Sequence, residues 1–189
     1  MSRRRVGWVI AAAYALGAGI VVAGAPDRFT VKSPNGIAFA EFKGYDEWQV
    51  LAPSVTDAQL GCSKAPCIKA ILGNATIVKA FKDGVPGNGK PFPDGSMMAK
   101  VEWEKVSNTE SPYDVSVPGK LNDISFMMKA AKRFPETDGW GYAQFRLDQA
   151  TGAFKAWGDG PRFAKASCHQ CHISGAKGHD FAFTGYAPR

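Results

Sequence analysis

Near its C-terminus the chain reads Cys168-His169-Gln170-Cys171-His172, and the rest of the sequence is organised around this run. Two thiols three positions apart, followed at once by a histidine, form the C-x-x-C-H spacing of a c-type haem attachment site. The thiols add across the two haem vinyl groups, whose separation the spacing matches. The adjacent imidazole then falls beneath the iron as its proximal ligand. Cys168 and Cys171 are therefore expected as thioethers and His172 as the iron ligand, with one haem c bound covalently.

Three other readings compete. A redox dithiol would sit at a helix start after a strand in a thioredoxin-like unit. A zinc site would need two further ligands, which Cys62 and Cys67 could supply. The spacing could also arise by chance. The N-terminus favours haem, because it reads as an export signal to the compartment where haem is attached. Met1-Ser2-Arg3-Arg4-Arg5 is a basic start, residues 6–25 contain no charge, and Ala23-Gly24-Ala25 offers a small-x-small cleavage site. Pro26 directly after that cut is unfavourable, and an uncharged run of this length could also remain as a membrane anchor. Either way residues 26–189 form the functional domain, placed outside the cytoplasm and expected in the periplasm.

The formal charge of +6 is mostly targeting. Without Arg3, Arg4 and Arg5 it falls to +3, and two haem propionates bring it to about +1. No basic run remains, so a nucleic-acid partner is not expected. Cys62 and Cys67 are close in sequence, and in an oxidising compartment they are expected to form a disulfide. Closing so short a loop stabilises by about 2 kcal/mol in the chain-entropy picture.

Residues 45–51 read as a short amphipathic opening element. Residues 68–72 are apolar and β-prone. Asn74 then caps a helix over residues 75–83, with Ile77, Val78 and Phe81 as its apolar stripe and Gly84 at the position that ends it. Residues 85–95, dense in proline and glycine, form an irregular loop. Residues 96–106 alternate: Met97, Ala99, Val101 and Trp103 share one face, and Met98, Lys100, Glu102 and Glu104 the other. A second loop carrying Pro112 and Pro118 leads to residues 121–131, with Ile124, Phe126 and Met128 on one face and Ser125, Met127 and Lys129 opposite. Residues 139–147 and 154–157 bracket a hairpin turn at 148–152. A short helix over 161–167 enters the haem motif, and residues 173–189 fold back over it. Four or five strands with one or two short helices give an α+β domain on a mostly antiparallel sheet.

Pro93-Asp94-Gly95-Ser96-Met97-Met98-Ala99-Lys100, Arg133-Phe134 followed by Trp140, the Cys168–His172 run and Phe181-Ala182-Phe183-Thr184 together resemble the cytochrome P-460 family, which also contains the cytochromes c′-beta. The resemblance spans most of the mature chain. It implies a mostly antiparallel sheet domain with one haem c, commonly as a homodimer. In the cytochromes P-460 a lysine on the strand after the D-G turn is bonded to the haem edge, and Lys100 matches it. Those enzymes oxidise hydroxylamine with help from a pocket glutamate on a later strand. Counting back from Arg133-Phe134, that position falls on Ser125 or Phe126, where no acid stands. A pocket with Phe126 or Met128 over the iron is similar to a cytochrome c′-beta, which binds nitric oxide. The resemblance therefore implies an open iron site for nitric oxide or a related small nitrogen species. Hydroxylamine or nitric oxide oxidation, with electrons passed to a redox partner protein, is the second reading. A plain electron carrier is the third, and it would take a second strong ligand from Met97, Met98, Met127 or Met128.

Overall fold

The alternating segment 96–106 is the centre of a single antiparallel sheet. The computed structural model describes residues 27–58 and 62–188; the segment read as an export signal, residues 1–25, lies outside the described residues. Six strands follow in chain order: β1 (Gln49–Thr56), β2 (Cys67–Gly73), β3 (Met97–Ser107), β4 (Ser116–Lys129), β5 (Trp140–Leu147) and β6 (Phe154–Ala156). Each pairs antiparallel with its sequence neighbour, so the spatial order is also β1 to β6. Two short α-helices, α1 (Ala75–Lys82) and α2 (Gln170–Ala176), complete the expected α+β class. Among the described residues no helix is long and apolar enough to cross a membrane.

Two segments differ from expectation. Residues 45–51 do not form one amphipathic element. Tyr45–Glu47 is a single 3₁₀ turn, and β1 begins at Gln49 as an edge strand along β2. Pro53 within β1 is tolerated because an edge strand need not donate every N–H to a ladder. Pro118, expected in a loop, lies inside β4 opposite Lys105, where the β3–β4 register is irregular and a missing N–H interrupts no regular ladder.

Asn74 explains why α1 starts where it does. Its Oδ1 accepts the Ile77 and Met97 backbone N–H groups, both at 3.1 Å, while Nδ2 donates to the Gly95 carbonyl at 2.8 Å. One side chain thus caps the helix and ties it to the start of β3. Gly84, at φ 88°, takes the left-handed position that ends the helix. Cys62 and Cys67 are joined as a disulfide at the mouth of β2.

Strand register sorts the side chains into two layers. Lys100 pairs with Ser125, which pairs with Gln144; Ala99 pairs with Phe126, which pairs with Ala143. One face carries Ala99, Val101, Ile124, Phe126, Met128, Ala143 and Phe145, packed under Ile37 of the N-terminal loop and under Phe39, Phe42 and Tyr45 of the N-terminal 3₁₀ turns. The other carries Ile71, Met98, Met127, Trp140 and Tyr142, covered by α1, Phe92 and the C-terminal segment with Cys168, Phe181 and Ala182. The cysteine–histidine motif therefore lies on the second face, over β3 to β5.

Candidate functional site

The motif enters through a π-helical turn, Ala164–His169, which runs directly into α2. Separations of three and four residues bring Cys168, Cys171 and His172 to one side of this helical stretch. Both cysteines are free, Cys168 half-buried and Cys171 exposed. Burial pushes the Cys168 thiol up to about 11. A dithiol oxidoreductase needs the opposite shift, so the thioredoxin-like reading fails here. The zinc reading fails as well, because its two extra ligands, Cys62 and Cys67, are consumed in the disulfide.

His172 is held by its Nδ1–H, which donates to the Phe181 carbonyl at 2.6 Å. A carbonyl can only accept, so the proton is on Nδ1 and Nε2 presents a lone pair. Burial also lowers the His172 pKa and keeps the ring neutral, the form that ligates a metal. Tyr142 of β5 packs its ring against His172, with centroids 4.9 Å apart. The hydroxyl of Tyr142 lies 3.0 Å from His169 Nδ1, and His169 Nε2 lies 3.0 Å from Asp138 Oδ2. A carboxylate only accepts, so Nε2–H donates to Asp138 and Nδ1 accepts from the tyrosine hydroxyl. His169, buried inside the C-x-x-C loop, is thus a strut between the sheet and the motif.

Lys100 lies on the motif-bearing face, and its charge is felt at both the Cys168 thiol and the His172 ring. Its Nζ is 3.3 Å from Glu102 Oε2. Glu102 is fully buried, and its other oxygen accepts the Ser63 backbone N–H at 2.7 Å and the Ser63 hydroxyl at 2.9 Å. Asp123 is the second fully buried acid of this cluster, accepting from the Ser125 hydroxyl at 3.1 Å. Burial raises its pKa, and the Lys100 charge works against that rise. Asp123 Oδ2 has no partner at full hydrogen-bond geometry among the described residues, although the Gln144 side chain is near enough to lower the pKa of the carboxyl.

Phe126 and Met128 are not part of this wall. They lie on the opposite face, Phe126 stacked on Phe42 at 4.0 Å between centroids and Met128 in the same cluster. The reason is register: Lys100 pairs with Ser125, so the odd-numbered residues of β4 share its face and the even-numbered ones turn away. Met98 and Met127 are the methionines on the motif side. Asp123, a buried acid, lies one same-face position before Ser125 on β4.

A family model described as cytochrome P460 matches residues 42–184. The chain belongs to the cytochrome P460 family. No curated protein matches it. Membership of the cytochrome P460 family implies a haem cofactor, and the residues present fit one. Two free thiols and a neutral imidazole with an available Nε2 stand together over an apolar stretch of sheet. The matched span contains Lys100, Asp123 and the whole Cys168–His172 run.

Proposed function

We propose that this cytochrome P460 protein is an exported haem c oxidoreductase that oxidises hydroxylamine or a closely related small nitrogen compound. Cys168 and Cys171 would hold one haem through thioethers, and His172 would ligate its iron through Nε2. The observation that supports turnover is Asp123, a buried acid beside Lys100 on the motif-bearing face. When bound, the haem supplies the iron to which the substrate nitrogen binds and the route by which its electrons leave. Asp123 accepts a proton that the substrate releases as it is oxidised. Its burial makes it a better base than an ordinary aspartate. Ser125 orients the carboxylate, and Lys100 sits at the haem edge. The electrons go to a redox partner protein. The Cys62–Cys67 disulfide supports a periplasmic location, and the resemblance to the cytochromes P-460 supports a homodimer.

A second reading is reversible binding of nitric oxide without turnover. The Lys100–Glu102 ion pair favours it, because it engages the Nζ that a covalent bond to haem would need. The purified holoprotein separates the readings. Haem stain should stay on the polypeptide in a denaturing gel, and carbon monoxide should shift the ferrous Soret band. Hydroxylamine should reduce an artificial electron acceptor, with turnover falling about a hundredfold in Asp123→Asn. Turnover indifferent to that substitution, or absent altogether, returns the reading to gas binding. A ferrous spectrum unmoved by carbon monoxide makes the protein an electron carrier.

A further inference from the structure

Lys129, the last residue of β4, is buried at 6% exposure although it ends a strand and carries a charge. An ammonium has three N–H donors, and this one uses them all. Nζ donates to Asp180 Oδ1 at 2.9 Å, to Asp180 Oδ2 at 3.0 Å and to the Asp138 carbonyl at 3.0 Å. It also lies 4.9 Å from the centroid of the Trp140 ring. Asp180 is tied down from a second direction, because its Oδ2 accepts the Phe92 backbone N–H at 2.7 Å.

The chain at this point bends through two consecutive left-handed residues, Asp180 at φ 47° and Phe181 at φ 64°. Neither is glycine, so the bend is a strained conformation that its surroundings must hold in place. The outcome of the bend is the direction of the Phe181 carbonyl, the acceptor for His172 Nδ1–H.

We propose that the buried Lys129–Asp180 pair is a positioning device for His172. By holding the turn it aims the Phe181 carbonyl at Nδ1, keeps Nε2 electron-rich and thereby lowers the reduction potential of the iron. The inference rests on His172 being the iron ligand. Neither Lys129 nor Asp180 acts on the iron directly; both act through Phe181. Loss of a partner of this outer kind costs about 10–100-fold in metal affinity or activity.

Lys129→Met alone leaves a buried, unpaired carboxylate and tests folding as much as positioning. The informative variant is Lys129→Met/Asp180→Asn. It removes both charges, keeps an acceptor for the Phe92 N–H and leaves asparagine at a left-handed position it tolerates. Two properties of the holoprotein are read: the midpoint potential by redox titration and the iron–histidine stretching band of the ferrous form by resonance Raman. The ferric-to-ferrous ratio at a fixed ambient potential is expected to fall about tenfold, with the band at lower frequency. Asp180→Asn alone should move both readouts the same way by less. Lys79→Met/Asp83→Asn, which removes an exposed ion pair on α1, should move neither. Parent values of both properties in the double variant, or in Asp180→Asn should the double variant fail to fold, overturn the inference and leave His172 ligation standing. A parent protein whose haem spectrum lacks a histidine ligand overturns the ligation and the inference with it.

Discussion

Phe126→Ala is the sharpest test of which sheet face carries the haem. Phe126 is 1% exposed and packs parallel to Phe42 with centroids 4.0 Å apart. It also meets Phe39 and Tyr45 edge-on, both at 5.3 Å. Truncating a buried phenylalanine costs about 3–5 kcal/mol, and losing a stacked ring adds about 0.5–1.5 kcal/mol. The expectation is therefore a loss of about 5 kcal/mol, which in a domain of this size lowers Tm by roughly 10–20 °C. Equilibrium guanidinium denaturation of the disulfide-intact holoprotein measures it, with carbon monoxide affinity read on the same samples at 25 °C. Affinity and Soret position should stay at their parent values, because the sheet separates Phe126 from the motif. Met127→Ala, one residue away on the other face, should reverse the pattern, with a shifted Soret band and a smaller stability loss. A Phe126→Ala protein of parent stability with altered carbon monoxide affinity would refute the face assignment.

Asp123 gives a pH signature. Its folded pKa lies above the ordinary aspartate value of 3.8, so the folded protein holds the proton more tightly than the unfolded chain. Its contribution to stability is greatest below pH 3.8 and falls as pH rises through the raised folded value. Asp123→Asn should therefore gain stability relative to the parent on going from pH 4 to pH 7, measured by denaturant midpoints at each pH. Asn74→Ala removes the cap of α1 and the tie to β3 together, and should cost about 2 kcal/mol. Cys62→Ser/Cys67→Ser should lower stability by about 2 kcal/mol, and thiol labelling of the denatured, unreduced parent should find neither cysteine free.

The parts of this molecule that are local in the chain are legible in its sequence. The Cys168–His172 motif is readable because its residues are adjacent in the chain and share one helical stretch. The α1 boundaries follow from Asn74 and Gly84, and the turn at 148–152 from its own residues. The two faces of β3 and of β4 are also correctly sorted strand by strand. What the sequence does not state is which face of one strand continues which face of the next, and the Lys100–Ser125 pairing decides that. Hence Phe126 and Met128 look like pocket residues until register places them in the opposite core, and Asp123 is overlooked although it is one same-face step from Ser125. The burial of Lys129 is not readable for a related reason. Its partner Asp180 arrives from the far end of the chain, and nothing near Lys129 in sequence announces a buried ammonium. β1 escapes notice because Pro53 and its mixed pattern read poorly as a strand.

The strand order has a consequence for how the molecule is made. Because every ladder joins sequence neighbours, most hairpins close over a short stretch of chain, the β2–β3 connection through α1 being the long one, and the entropy of closing a loop grows only slowly with its length. The sheet can grow from β1 to β6 in the order in which the polypeptide is delivered, with few distant pairings to delay it. The C-terminal segment does not share this advantage. Its ties run back to early parts of the chain, from Asp180 to Phe92 and from the Ala187 N–H to the Leu51 carbonyl. It is expected to dock last, against a surface already formed. Cys168 and Cys171 ride on that late segment, so Cys168 becomes half-covered only on docking, whereas Cys171 remains exposed even then.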